Sequence, residues 1–144
     1  MAQHYDDSYL RDILTTVKTI AMVGASPKPH RASHRVMAYL QHQGYRVIPV
    51  NPGCRGEQLL GERVYAKLDD IPDTLSIDMV DVFRRSDAVP EIAEAAIRIR
   101  AKVLWLQLGV IHAQAARHAK DYGLEVVMDR CPKIDIPRLG MESN

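Results

Sequence analysis

TIAMVGASPKPHRAS, residues 19–33, compresses a strand, a turn and the start of a helix into one short segment. Ile20, Ala21, Met22 and Val23 make an unbroken apolar run, the pattern of a strand covered on both faces. Gly24-Ala25-Ser26 follows as the turn, and Ser33 stands where a helix N-cap belongs. A glycine turn lets backbone approach a ligand closely, and the unpaired N–H groups of a first helical turn point at an anion. Lys28, His30, Arg31, His34 and Arg35 crowd this loop with cationic side chains, although the whole chain carries a formal net charge of only +1. A ligand with several phosphate charges is therefore expected here.

The flanking sequence repeats the strand–helix alternation. Leu10, Ile13, Leu14 and Val17 recur at helical spacing, which predicts a helix over about 7–18 begun by Asp6 or Asp7. Val36, Met37 and Leu40 give the next helix its apolar face, with Gly44 at its C-terminus. Further strands are predicted at 45–50 (YRVIPV), 77–83 (IDMVDVF), 103–108 (VLWLQL) and 124–128 (LEVVM). Helices are predicted after Ser86 or Asp87, either of which could cap, and over about 113–122. Residues 53–76 show little periodicity beyond a short helical turn at 69–71, and the tail from Asp129, with Pro132 and Pro137, reads as mostly irregular.

Apolar runs separated by helices mean a parallel sheet buried on both faces, in an α/β domain. Right-handed crossovers favour a Rossmann-like, doubly wound five-stranded sheet of order 3-2-1-4-5. Its ligand would lie beyond the carboxyl ends of the strands, at the switch point between the first and fourth. That rule gathers four loop clusters: Gly24–Ser26, Asn51-Pro52, Phe83–Ser86 and Leu108–Val110. The expected division is a helical segment at 1–18, the sheet domain at 19–139 and a tail at 140–144.

At 144 residues, with 47% hydrophobic and 26% charged residues, the chain fits one soluble domain. The near-zero net charge lacks the basic footprint of a nucleic-acid binder. The polar N-terminus has no signal-peptide pattern and no apolar run reaches membrane-span length, so a cytoplasmic protein is expected. Cys54 and Cys131 are far apart and form neither a disulfide framework nor a zinc motif. His30 and His34 have helical metal spacing, but without a third ligand nearby no metal is expected.

The dinucleotide fingerprint GxGxxG is absent, replaced by Gly24-Ala25-Ser26-Pro27-Lys28-Pro29. The second strand ends at Val50-Asn51-Pro52 without the carboxylate that an NAD site sets against the ribose hydroxyls. An NADP-dependent oxidoreductase could do without that acid, so this alternative stays open. The P-loop pattern is missing as well.

Gly24-Ala25-Ser26 after its strand, VIPVNP at 47–52, VDVFR at 80–84, LWLQLGV at 104–110 and VMDRCPKIDIPRL at 127–139 together resemble the small stand-alone CoA-binding proteins. These are similar to the CoA-binding domain of the succinyl-CoA synthetase alpha subunit. The resemblance spans about residues 10–139. It implies a Rossmann-like domain that binds coenzyme A or an acyl-CoA without established catalysis of its own; a CoA-carrying subunit of a separate acyl-CoA ligase is a further possibility. The synthetase's phosphorylated histidine lies in a second domain, so no histidine role carries over.

The residues agree with that implication. The 3′-phospho-ADP part of CoA carries a charge near −4. Lys28, Arg31 and Arg84 could grip its phosphates, with Gly24, Ala25 and Ser26 around the pyrophosphate. Asn51, Pro52, Phe83, Leu108 and Gly109 would complete the cleft. Each has a plainer reading: Gly24 as the turn this fold needs anyway, the cations as solvated surface, Asn51-Pro52 as a strand end, Phe83 as partly core and Ser86 as a cap. Trp105 reads as core, His112 as a possible proton donor at a helix start, and Asp129-Arg130 as either an ion pair or a lip of the site. None of the loop clusters at 24–26, 51–52 and 108–110 contains a carboxylate, so the expected role is to sense, store or deliver CoA, with no protein partner indicated.

Overall fold

The computed structural model describes residues 4–143. Helix α1 (Asp7–Thr16) leads into β1 (Thr19–Val23), α2 (Ala32–His42) and β2 (Arg46–Val50). A small hairpin, β3 (Gln58–Leu59) and β4 (Glu62–Arg63), follows. The chain then alternates through β5 (Met79–Val82), α3 (Val89–Arg98), β6 (Val103–Leu106), α4 (Ala113–Asp121), β7 (Glu125–Val127) and α5 (Pro132–Arg138).

Five strands form one parallel sheet in the order β2-β1-β5-β6-β7. In the doubly wound scheme this corresponds to 3-2-1-4-5. An isolated parallel bridge from Tyr65 to Val50 holds the third place, β5 and β6 take the fourth and fifth, and β7 lies one place beyond. The winding reverses between β1 and β5, and that reversal opens the crevice at the carboxyl ends.

Alternation along each strand feeds two cores. Ala21, Val23, Val80, Val82, Leu104 and Leu106 face α3 and α4, whose alanines allow close approach. Ile20, Met22, Met79, Val103 and Trp105 face α1, α2 and α5. Trp105 is fully buried and donates to the Arg130 carbonyl at 2.8 Å, so it is core as read. The N-terminal helix packs into the same core through Leu10, Ile13 and Leu14. It is also pinned to the edge strand, because the Val126 and Met128 amides donate to the Tyr9 and Tyr5 hydroxyls.

Three local expectations need correcting. Helix α2 begins two residues early, with Arg31 as its N-cap; Ser33 is buried within the first turn, where it packs rather than caps. The tail contains α5, because Pro132 sits in the first helical turn where its missing N–H costs nothing, and Pro137 falls in the last turn. Residues 53–76 contain the β3–β4 hairpin, whose turn residues Leu60 and Gly61 both have positive φ. The helical turn expected at 69–71 is a 3-10 turn at Leu68–Asp70. Among the described residues, no helix is long and apolar enough to cross a membrane.

Candidate functional site

Three adjoining cavities run along the carboxyl edge of the sheet. The first, of about 510 Å³, is lined by Gly24, Ser26, Lys28, Arg31, Ala32 and Ser33, with Asn51, Cys54 and Phe83 completing its wall. The first turn of α2 opens onto it, and the cap residue Arg31 supplies no side-chain bond to that turn. The first-turn amides are thus left to an outside acceptor. The loop before α2 is held by its own side chains: Ser26 Oγ accepts from the Lys28 amide at 3.1 Å, the His34 ring meets the Ser26 carbonyl at 3.1 Å, and Arg35 donates to the His30 carbonyl. His34 and Arg35 are therefore committed to building the loop. Lys28 and Arg31 are exposed, line the cavity and make no side-chain hydrogen bond or ion pair among the described residues.

Gly24 has φ +90°, and a Cβ there would fall 3.0 Å from the Phe83 carbonyl carbon and nearer still to its oxygen. Its glycine identity is required by the close passage of two strand ends, β1 and β5, whatever the cleft holds. Ala25 is buried, with its side chain in the core. Asn51 Nδ2 donates to the Ala25 carbonyl at 2.7 Å, and Asn51 Oδ1 accepts from the Gly53 amide at 2.8 Å. Asn51 therefore ties the end of β2 to the glycine turn. An aspartate could not donate that first bond.

The second cavity, about 500 Å³, lies over the end of β2 and is lined by Asn51, Pro52, Lys67, Leu68, Phe83 and Arg84, among others. The third, about 510 Å³, lies over β5 and β6 and is lined by Phe83, Arg84, Gln107, Leu108 and Cys131, with Ala32 and Val36 from α2. Phe83 borders all three cavities and is half-buried. Leu108 is 57% exposed.

Loop-to-loop bonds shape the far side. Asp129, at φ +60°, accepts from the Gly109 amide at 2.7 Å, while Arg130 pairs with Asp135 at 3.2 Å. The open choice for Asp129-Arg130 thus resolves into two separate jobs. Ser86 does not cap a helix; its hydroxyl accepts from the Ile111 amide at 3.0 Å, joining the loops after β5 and β6. His112 is the N-cap of α4, its Nδ1 accepting from the Ala115 amide at 3.1 Å. That bond occupies the lone pair of one ring nitrogen in a structural role.

Sequence reading missed Asp81 and Gln107. Asp81 sits in the middle of β5 with 0% exposure, on the face toward α2 and α5. Gln107 Nε2 donates to its Oδ1 at 2.8 Å, and Oδ2 has no partner among the described residues. Burial pushes the Asp81 carboxyl up to about 7, against the lowering effect of the Gln107 bond. The only sequence signal was one acid inside an apolar strand. Burial likewise raises both thiols, Cys54 in the first cavity and Cys131 in the third, which keeps them protonated and unreactive.

Of the site residues named from sequence, Gly24, Ser26, Lys28, Arg31, Asn51, Pro52, Phe83, Arg84 and Leu108 line these cavities, whereas Ala25 turns its side chain into the core and Gly109 lines none of the three, its amide bonded to Asp129. Comparisons with known proteins bear on what this edge holds. The family model described as CoA binding domain matches residues 18–137. The uncharacterized protein YneT of Bacillus subtilis is 38% identical over 132 residues, covering 92% of this chain and 95% of that protein. A solved structure, cell-free ID.343 from Thermus thermophilus, superposes with TM-score 0.88 at 40% identity, covering 94% of this chain and 99% of that one. The alpha subunit of acetate–CoA ligase (ADP-forming) I of Pyrococcus furiosus is 26% identical over 130 residues; the match covers 81% of this chain but only 28% of that subunit. By the extent of the family match and the full-length relatives, this chain belongs to the CoA-binding domain family.

Proposed function

We propose that the protein binds coenzyme A or an acyl-CoA in the cleft between β1 and β5 and acts by holding it, in a sensing, carrier or regulatory role. The observation that carries this reading is the first cavity: an uncapped helix start beside two uncommitted cations, Lys28 and Arg31, next to a strand end with no acid. The amides and Ser26 suit the pyrophosphate, and Arg31 suits the 3′-phosphate, since a guanidinium can grip phosphate through two parallel hydrogen bonds. An aspartate in place of Asn51 would repel that phosphate. The adenosine would lie over the end of β2 by Pro52, and Arg84 would flank the arm leading away from it.

A holding role is the simpler chemistry. Neither thiol is activated, His112 is spent as a cap, and the buried carboxylate Asp81 has no exposure through which to reach a substrate. The similarity to part of a ligase alpha subunit favours one second reading, a CoA-carrying subunit that works with a separate catalytic chain. Equilibrium dialysis with CoA tests the main reading: saturable binding at one CoA per chain is expected, and no binding would contradict it. A pull-down from extract tests the second.

A further inference from the structure

The third cavity has largely apolar walls, with Arg84 and Arg85 also in its lining and a buried amide on its floor. Ala32, Val36, Leu108 and Val110 supply the walls. Gln107, only 4% exposed, supplies the floor. Its amide nitrogen is fixed by Asp81 Oδ1 at 2.8 Å, and its backbone is fixed at both ends, the amide to Val82 and the carbonyl to Val110. The second N–H of its side chain has no partner among the described residues. Burying a carboxylate in mid-sheet with one oxygen unpartnered is costly, and packing does not require it, since an apolar side chain would fill the same space. Asp81 Oδ1, as an acceptor, holds the glutamine nitrogen toward the strand.

We propose that this cavity is the acyl pocket, which takes a short acyl thioester, and that Gln107, positioned by Asp81, donates its free N–H to the thioester carbonyl. The inference rests on the CoA reading above. The phosphate cavity adjoins this pocket through Ala32 and Phe83, and adenosine over β2 directs the opposite, pantetheine end toward β6. A largely apolar pocket with a buried amide on its floor matches an acyl chain with one carbonyl. A free thiol offers no comparable acceptor and leaves the amide unsatisfied.

The test is calorimetric titration with CoA, acetyl-CoA and adenosine 3′,5′-bisphosphate. The bisphosphate lacks the pantetheine arm, so it reports folding and the phosphate site independently. Wild type is expected to bind acetyl-CoA about fivefold more tightly than CoA, the worth of one hydrogen bond. Gln107→Leu is expected to bring that ratio to one. Asp81→Leu should reduce the ratio, whereas Asp81→Asn, whose oxygen can still accept from Gln107, should restore it. Should Asp81→Leu fail to fold, Gln107→Met gives a second reading of the ratio. Equal affinities in wild type, or a preference that survives both glutamine substitutions, would overturn the acyl pocket and leave CoA binding standing. Failure of CoA, acetyl-CoA and the bisphosphate alike to bind would overturn both.

Discussion

Gly24 and Phe83 meet backbone to side-chain vacancy: the space a Cβ would fill on Gly24 is closed by the Phe83 carbonyl, and φ +90° at Gly24 already disfavours any other residue. The spacing of the two strand ends and the shape of the glycine turn are therefore set by the same contact. Gly24→Ala should lower stability by about 2–4 kcal/mol through backbone strain and overlap combined. Chemical denaturation measures this, and a change under about 1 kcal/mol would show that the two strand ends can separate freely.

Arg31 and Arg35 make a sharper pair than their spacing suggests. Arg35 is bonded to the His30 carbonyl, whereas Arg31 lines the first cavity without a side-chain partner among the described residues. Arg31→Ala should leave thermal stability nearly unchanged and weaken CoA by about 1.5–3 kcal/mol, the range of a hydrogen bond to a charged group. It should also narrow the difference between CoA and dephospho-CoA. Titration with both ligands reads out the two effects.

Asn51→Ala removes one donor and one acceptor at a stroke. The Ala25 carbonyl and the Gly53 amide would lose their partners, at a cost of roughly 1–3 kcal/mol. CoA affinity should fall as well, because the glycine turn loses its brace. A drop in affinity with no drop in melting temperature would instead assign Asn51 to the ligand directly.

Asp81 gives stability an unusual pH slope. Its carboxyl is pushed up to about 7 in the folded protein by burial, while an unfolded aspartate titrates near 3.9. Between those values the native state keeps a proton that the unfolded state releases, so stability falls as pH rises through about 4 to 7 and stays lower above that. The loss is on the order of 4 kcal/mol. Asp81→Asn should therefore raise the melting temperature at pH 8 and leave it nearly unchanged at pH 4. Parallel melting curves for the two proteins across that range would contradict the assignment.

The sheet was legible because strands buried on both faces must be apolar in runs, and VIPV, MVDV and VLWL are such runs. The lining of the first cavity was legible for a different reason: glycine, cations and a helix start are close neighbours in sequence. Helix α5 was hidden by Pro132 and Pro137: the first is tolerated in the first turn, but the second lies inside the helix, which forms despite it. Strands of two residues, as in β3 and β4, are too short to show a period. The brace from Asn51 to Ala25 and the pair of Asp81 with Gln107 each join residues 26 positions apart, contacts that only the register of neighbouring strands creates. Nor does an aspartate within IDMVDVF announce whether it faces water or core.

The central claim is that the cleft between β1 and β5 is built for CoA rather than for a nicotinamide dinucleotide. A thermal-shift series with CoA, dephospho-CoA, NAD and NADP tests it most directly. At about 100 times its Kd a ligand adds ~2.7 kcal/mol. In a domain of this size that is a rise of roughly 5–10 °C. The account predicts that rise with CoA, a smaller one with dephospho-CoA and none with NAD or NADP; a rise with NADP and none with CoA would contradict it.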